Sequence, residues 1–252
     1  MEKVPVVFVC SEERLRLLSE PLADVSRVLM CTDQTTYMNV LIHEYVGLVV
    51  VDSEWPNWEF FAITPSASSA TRRIPIYVIH PEPDQLPQFR KNVDGLLTVA
   101  EWQAQALSIF QQKARSLSAE TREAIECACQ EALPAMAQQA IEKFNAGEYY
   151  AQHDLFEALW MQTEGPIRDL YRAILQIGIA YYQIEKGNRR GAIKMLQRST
   201  QWAYLYPAQC QGIEIGRLRD QAALVLTALE AGGETALENF DFSLLQKIEQ
   251  VP

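Results

Sequence analysis

Residues 47–56 read GLVVVDSEWP, and this stretch decides the fold of the first half of the chain. Four consecutive apolar residues, Leu48 to Val51, lead directly to Asp52. A continuous apolar run of this length is typical of a strand that is covered on both faces, as in a parallel sheet. Comparable runs recur at residues 6–9, 27–30, 74–79 and 96–99.

Helical patterns separate these runs. Ser11 is followed by Glu12 and Glu13, which is typical of a helix N-cap with acidic residues in the first turn. Further helical patterns cover residues 35–45 and 101–117. Strands that alternate with helices predict an α/β domain with a doubly wound, five-stranded parallel sheet. Functional groups gather at the carboxyl ends of the strands in such sheets.

The second half of the chain has helical patterns and no convincing strand pattern. Pro134 interrupts the first helical stretch, and Gly147 is suited to end it in a left-handed conformation. The predicted helices cover residues 118–147, 149–163, 166–186, 190–204, 213–229 and 240–248. The third of them is apolar on nearly every side, which predicts a central, buried helix. We therefore predict two domains, residues 1–117 and 118–252, the second being an all-α helical bundle.

The formal net charge of −10 argues against general nucleic-acid binding, because phosphate contacts need a face rich in Lys and Arg. Five basic side chains do fall close together, and we interpret them as the solvated face of one helix. They are Lys186, Arg189, Arg190, Lys194 and Arg198. No apolar stretch reaches the roughly 20 residues that cross a membrane.

The cysteines do not follow the spacing of a disulfide framework. They are Cys10, Cys31, Cys127, Cys129 and Cys210. An odd number without a framework spacing does not indicate a secreted scaffold. Cys127 and Cys129 project about 200° apart on a helix, so they cannot jointly hold a metal ion. We interpret them as small apolar residues and, since no signal-peptide pattern opens the chain, predict a cytoplasmic protein.

The first domain resembles the receiver domains of response regulators. In that family the third strand ends in a phosphate-accepting Asp, followed four residues later by Pro, and Asp52 and Pro56 match this spacing. RIPIYVIH at 73–80 resembles the fourth strand, and DGLLTV at 94–99 the fifth. The resemblance covers about the first 115 residues and implies a receiver-like, or flavodoxin-like, sheet.

The other residues of receiver chemistry are replaced. The two acidic residues that hold Mg²⁺ in the family fall on Cys10 and Ser11. The switch Ser or Thr falls on His80, and the Lys after the fifth strand falls on Val99. Phosphoryl transfer needs a metal and a cation to neutralise charge on the transferring oxygens. We therefore predict a pseudo-receiver in which Asp52 is a vestigial phosphoacceptor that caps or pairs locally.

The helix predicted at 149–163 places two ionisable groups on one face. His153 falls on the same helical stripe as Phe156 and Trp160, which we expect to face the core. Glu157 lies one turn after His153. A buried His and Glu need partners, because buried charge is costly unless it is paired. The candidate partners are Arg168, Gln176, Gln183 and Asn188.

This half of the chain resembles the helical family called domain of unknown function 309. The family has a His-xxx-Glu-xx-Trp run after an FNxGxY start, and residues 144–160 read FNAGEYYAQHDLFEALW. Its later motifs match Arg168, Gln176, Gly187, Asn188, Gly191 and Ala192. A second His of the family falls on Gln183, and acids near the first His fall on Ala151 and Asp154, which leaves fewer metal ligands. The resemblance covers about residues 135–250 and implies a helical fold without an assigned reaction.

Three interpretations of this constellation remain open. In the first, His153, Glu157, Arg168, Gln176 and Asn188 form a buried polar network that fixes helix register. In the second, they line a pocket for a small anionic or polar ligand, with Arg168 on its carboxylate or phosphate. In the third, His153 and Glu157 bind a divalent metal, for which a third ligand is missing.

The function that we predict is a non-catalytic regulatory or adaptor protein. The pseudo-receiver serves as a docking domain, joined to a helical module that binds a ligand or partner. A protein partner is expected, no cofactor is expected, and homo-oligomerisation is left open. The alternative is a hydrolase-type enzyme that uses His153 and Glu157 as an acid–base or metal pair. Trp160 is expected to pack in the core.

Overall fold

The computed structural model describes residues 3–115 and 117–251, which fold into two compact units. Unit 1 is Met1–Ser116 and unit 2 is Leu117–Pro252. Each unit encloses a hydrophobic core of its own. Within the described ranges, no helix is both long enough and apolar enough to cross a bilayer.

Unit 1 contains one parallel sheet. Its strands are β1 (Val4–Val9), β2 (Ser26–Met30), β3 (Leu48–Asp52), β4 (Ile76–Ile79) and β5 (Gly95–Leu97). They are ordered β2-β1-β3-β4-β5, and every neighbouring pair is parallel. This is the strand order of flavodoxin-like doubly wound sheets. The predicted fold class of the first half is therefore confirmed.

Helices and their hydrophobic cores cover both faces of this sheet. The helices are α1 (Glu12–Ser19), α2 (Gln34–His43), α3 (Trp58–Ile63) and α4 (Val99–Lys113). Ser11 caps α1 as predicted, its side chain accepting a hydrogen bond from the Arg14 amide. Thr98 and Glu101 form a reciprocal capping box at the start of α4. This capping box makes the helix begin two residues before the start that its apolar pattern indicates.

The connection between β4 and β5 departs from the regular alternation of strands and helices. Two 3-10 turns, Pro83–Gln85 and Pro87–Phe89, occupy it in place of an α-helix. Each proline lacks a backbone N–H and interrupts an α-helical ladder. The predicted alternation of strands with helices therefore does not hold for this connection.

Unit 2 forms six α-helices within residues 117–251. They are α5 (Ala119–Cys129), α6 (Ala135–Asn145), α7 (Tyr149–Gln162), α8 (Arg168–Glu185), α9 (Arg189–Ala203) and α10 (Ile215–Ala231). α8 packs against both α7 and α9, and most of its residues are buried, as predicted for the central helix. Gly147 and Gly187 end the helices before them with φ of 79° and 72°, a conformation that glycine adopts without strain.

A short antiparallel hairpin in unit 2 corrects the prediction of a domain without strands. It consists of β6 (Gln209–Cys210) and β7 (Ile213–Glu214). Gln211 and Gly212 make the turn, both with positive φ. Two-residue strands are too short to leave an alternating pattern in the sequence.

The predicted last helix, at residues 240–248, is also wrong. Only a 3-10 turn, Phe242–Leu244, forms there. The backbone of Ile248 instead exchanges two hydrogen bonds with the Asn145 side chain, at 2.7 and 3.0 Å. The chain then continues beside the hairpin, where Glu249 accepts from Glu214. Tertiary partners thus replace the local hydrogen bonds of a helix.

Cys129 and Cys210 form a disulfide that joins the end of α5 to β6. The interpretation of Cys129 as a free, small apolar residue is therefore wrong. Sequence spacing could not reveal the pair, because the two residues lie 81 positions apart and meet only in the folded bundle. Cys127 is an exposed free thiol, whereas Cys10 and Cys31 are buried free thiols.

The contact between α7 and α8 depends on Gly178. A Cβ atom at this position would lie 2.2 Å from Nε2 of Gln152, and Gln152 is completely buried. We expect Gly178→Ala to lower the free energy of unfolding by about 1–2 kcal/mol, because overpacking outweighs the gain in helix propensity. Chemical denaturation measures the free energy of unfolding of the variant and of the wild type. The double variant Gln152→Ala/Gly178→Ala should lose no more than Gln152→Ala alone, and an additive loss would contradict the steric explanation.

Candidate functional site

Asp52 is held by an arginine at the carboxyl end of β3. Its side chain is 2% exposed. Arg14, on the first turns of α1, donates from Nε to Oδ2 at 2.7 Å and from its terminal nitrogen to Oδ1 at 3.3 Å. The amide of Glu54 donates to Oδ1 at 3.1 Å. Both carboxylate oxygens therefore carry charge-assisted or backbone hydrogen bonds, and the guanidinium neutralises the buried charge.

The residues around Asp52 do not supply the rest of a phosphoryl-transfer site. Burial raises the pKa of the Cys10 thiol to about 12, and the Asp52 carboxylate adds to this rise, so Cys10 is a neutral thiol. Ser11 is engaged as the cap of α1. His80 accepts the Glu82 amide on Nδ1 at 2.9 Å. Across residues 3–115 and 117–251, no three His, Cys, Asp or Glu side chains are grouped so as to hold a metal ion.

In unit 2, the central helix α8 has one narrow stripe that reaches solvent. Its members are Arg168, Arg172, Ile179 and Gln183, all half-buried, and we call them the α8 stripe. They follow one another at spacings of four, seven and four residues, which places them on one face of a helix. Most other residues of α8 are buried; Asp169 and Tyr182 are half-buried, and Glu185 at the end of the helix is exposed. The stripe is therefore the part of α8 on which two arginines and a glutamine meet solvent.

The predicted motif on α7 lies beside this stripe and is open to solvent. The His153 side chain is 25% exposed, with Nδ1 3.1 Å from Oδ1 of Asp154 and its ring stacked on Tyr150. Glu157 is exposed, so the expectation that it points inward is wrong. No hydrogen bond joins His153 to Glu157 within the described residues. The groups that contact this histidine are the adjacent Asp154 carboxylate and the Tyr150 ring.

The predicted partners of the motif are distributed over separate contacts. Asn188 caps α9 by accepting the Gly191 amide and donates to Gln183 at 2.7 Å. Gln176 is buried, and its Oε1 has no hydrogen-bond partner in the described part of the chain. The structure thus joins Gln183 to Asn188 and leaves Gln176 apart from both. Gln152, a buried glutamine on α7, is not among the predicted residues, because its neighbours Ala151 and His153 give no indication that it is buried.

Trp160 and Arg168 belong to a stack of alternating aromatic rings and guanidinium groups. Arg168 Cζ lies 5.2 Å and Arg172 Cζ 5.0 Å from the centroid of the Trp160 ring. Arg172 also lies 4.8 Å from the ring of Trp202, on α9. We call these four residues the arginine–tryptophan cluster. Cation–π contacts of this kind are attractive. Trp160 is half-buried, so it borders the α8 stripe and does not lie in the core as expected.

Arg172 and Trp202 were not among the predicted site residues. The four-residue spacing between Arg168 and Arg172 could have indicated that both project from one face of the helix. Trp202 lies on another helix, and nothing in the local sequence connects it to Trp160. Only the packing of α7, α8 and α9 brings the two tryptophans to the same arginine.

Parts of the chain are similar to known proteins. A curated relative, an uncharacterized protein of Aquifex aeolicus (strain VF5), is 24% identical over 96 residues, which is 38% of this chain and 29% of that protein. The chain thus matches less than a third of this relative's length. The crystal structure of full-length FixJ from B. japonicum covers 77% of this chain and 98% of its own, at 16% identity and a TM-score of 0.37. Residues 137–195, which carry α7, α8 and the open motif, match the family model described as "Domain of unknown function (DUF309)".

Proposed function

We propose that the protein is a non-catalytic regulatory adaptor. Unit 1 is a pseudo-receiver that serves as a docking domain, and unit 2 is a module that binds a protein partner through the face around the α8 stripe. The observation that carries this proposal is the bidentate contact between Arg14 and Asp52. It supports a receiver-like fold in which the phosphate-accepting position has become part of the structure.

Two features of this site disfavour phosphorylation of Asp52. A phosphoacceptor must offer a free carboxylate oxygen for in-line attack, whereas Oδ1 and Oδ2 both accept hydrogen bonds here. Developing charge on the transferring group must also be stabilised, usually by a metal ion and a cation. The residues at the acidic positions, Cys10 and Ser11, are a buried thiol and a helix cap. Asp52 is therefore proposed to be a structural partner of Arg14 and not a phosphoacceptor.

The proposal predicts that acetyl phosphate does not modify the protein. Incubation of the full chain with acetyl phosphate and Mg²⁺, followed by intact mass measurement, should leave the mass unchanged. Asp52→Asn is the matched control, because it removes the acceptor and keeps the shape of the side chain. A gain of one phosphoryl group in the wild-type protein that is absent in Asp52→Asn would overturn the pseudo-receiver assignment.

The hydrolase alternative rests on the contact of His153 with Asp154. A carboxylate on Nδ1 orients an imidazole, whose Nε2 is then available as a general base. The test is metal analysis and hydrolytic activity of the wild-type chain, His153→Ala and Glu157→Gln. Stoichiometric zinc, manganese or iron that disappears in His153→Ala would favour the enzyme. The adaptor proposal expects no such metal.

The cytoplasmic location of the protein stays a prediction. The disulfide between Cys129 and Cys210 is a kind of bond that is more common in oxidising compartments.

A further inference from the structure

Helices α8 and α9 form a basic region in an acidic chain. Between Arg168 and Ala203 there are seven Lys and Arg and two Asp and Glu, a local net charge of +5, whereas the whole chain carries −10. The two acids are Asp169 and Glu185. Concentrated charge of one sign attracts ligands of the opposite sign and raises their rate of association. The basic residues of this region therefore point to an anionic ligand.

Within this region, the arginine–tryptophan cluster contains two buried N–H groups that have no hydrogen-bond partner among the described residues. In the described part of the chain, Arg168 has neither an ion pair nor a hydrogen bond, and its Nε atom is buried without an acceptor. Trp160 Nε1 is likewise a buried donor without a partner. Arg172 lies 3.9 Å from the carboxylate of Asp169. The guanidinium groups of Arg168 and Arg172 repel each other across one indole ring, and an anion bound next to both would offset this repulsion.

Chemically, this arrangement fits carboxylates that are presented next to apolar side chains. The planar guanidinium offers paired donors to a carboxylate, and tryptophan faces offer apolar surface beside it. Farther along α8, Ile179 supplies apolar surface and Gln183 a polar end. Arg168 to Gln183 spans 15 residues, or about 22 Å of helix. This length suits one amphipathic segment lying along the stripe, as in helix-in-groove recognition.

We infer that the α8 stripe and the arginine–tryptophan cluster bind an acidic amphipathic segment of a partner protein. The inference rests on the proposed adaptor function and specifies the chemistry of its ligand. Glutamate or aspartate side chains of the segment contact Arg168 and Arg172, and its apolar face covers Ile179 and the edges of the tryptophans.

The test uses the full chain and a fluorescein-labelled peptide of about 14 residues, with Glu on one helical face and Leu on the other. An isomer with Lys in place of Glu is the negative probe. We expect fluorescence anisotropy to report binding of the acidic peptide that weakens with added salt, since exposed charges are screened. Arg168→Gln/Arg172→Gln should weaken it roughly tenfold, the loss of two charge-assisted contacts.

The matched control is Arg190→Gln/Lys247→Gln, which removes the same charge from exposed positions of unit 2 outside the cluster. It should change binding by less than about twofold. In NMR spectra, the indole N–H signals of Trp160 and Trp202 should shift on binding, and that of buried Trp102 should not.

Three results would overturn the inference. One is equal weakening in both double variants, which means attraction by net charge alone. Another is the absence of acidic-peptide binding at about 1 mM, the weak end of measurable affinity. The last is displacement of the acidic peptide by equimolar inorganic phosphate, which would mean that the site binds small anions in general. Each leaves the adaptor proposal to be judged separately by the acetyl phosphate result at Asp52.

Discussion

Replacing Arg14 with alanine is expected to lower the free energy of unfolding of unit 1 by about 2–4 kcal/mol. The cause is the Asp52 carboxylate, which is 2% exposed and loses both guanidinium contacts. Removing one partner of a buried ion pair typically costs about 3–5 kcal/mol. The lower range applies here because the Arg14 side chain is 27% exposed, so water enters part of the vacated volume.

Denaturant titration of the full chain, combined with hydrogen exchange, measures this loss in unit 1. Exchange of the β1 and β3 amides should become faster, while amides of α8 in unit 2 should be unaffected. Asp52→Asn is the informative control. This variant leaves Arg14 without its carboxylate, but the guanidinium can be hydrated at the surface. Asp52→Asn should therefore lower the free energy of unfolding less than Arg14→Ala does. Arg14→Leu/Asp52→Asn should recover part of the loss, since neither charge remains. An Arg14→Ala variant as stable as the wild type would refute the structural role.

The fold of unit 1 was predictable because its information is local. Unbroken apolar runs such as Leu48 to Val51 mark buried strands wherever they occur, and their alternation with helices permits few topologies. The departures arise where a local signal is weak or tertiary contacts dominate. The two-residue strands β6 and β7 leave no pattern. The segment around Ile248 has a helical composition, yet the Asn145 side chain takes its backbone hydrogen bonds.

The candidate sites were less predictable, for a physical reason. The sequence identifies Asp52 as unusual, but it does not indicate that Arg14, 38 residues earlier, supplies the missing positive charge. Similarly, helical spacing places His153 and Glu157 on one turn without indicating whether that turn faces core or solvent. In the folded bundle, Glu157 is exposed. Interactions between distant segments decide such questions, and a single sequence does not record them.

Reducing the disulfide between Cys129 and Cys210 is expected to lower the free energy of unfolding of unit 2 by about 4 kcal/mol. The crosslink closes a loop with a sequence separation of 81, and loop-closure entropy for that length gives this order of magnitude. The effect should be concentrated in α5. This helix has one buried residue, Ile125. Among the described residues, two hydrogen bonds from Gln211, at 2.7 and 3.3 Å, also join its end to the hairpin.

Thermal unfolding of the full chain with and without reductant measures this effect, and hydrogen exchange locates it. Exchange should accelerate first in α5 and then at the hairpin, with α8 the last region of unit 2 to respond. Cys210→Ser should reproduce the stability of the reduced chain without any reductant.

Cys127→Ser is the matched control. It removes an exposed thiol and the opportunity for disulfide exchange, and it should change stability by less than about 0.5 kcal/mol. Equal stability of the oxidised and reduced chains, or a mass map that places Cys127 in the crosslink, would contradict the role assigned to this bond. If the expected difference is found, α5 is the part of unit 2 whose attachment depends on redox conditions, since the crosslink joins α5 to β6 and includes no residue of α8.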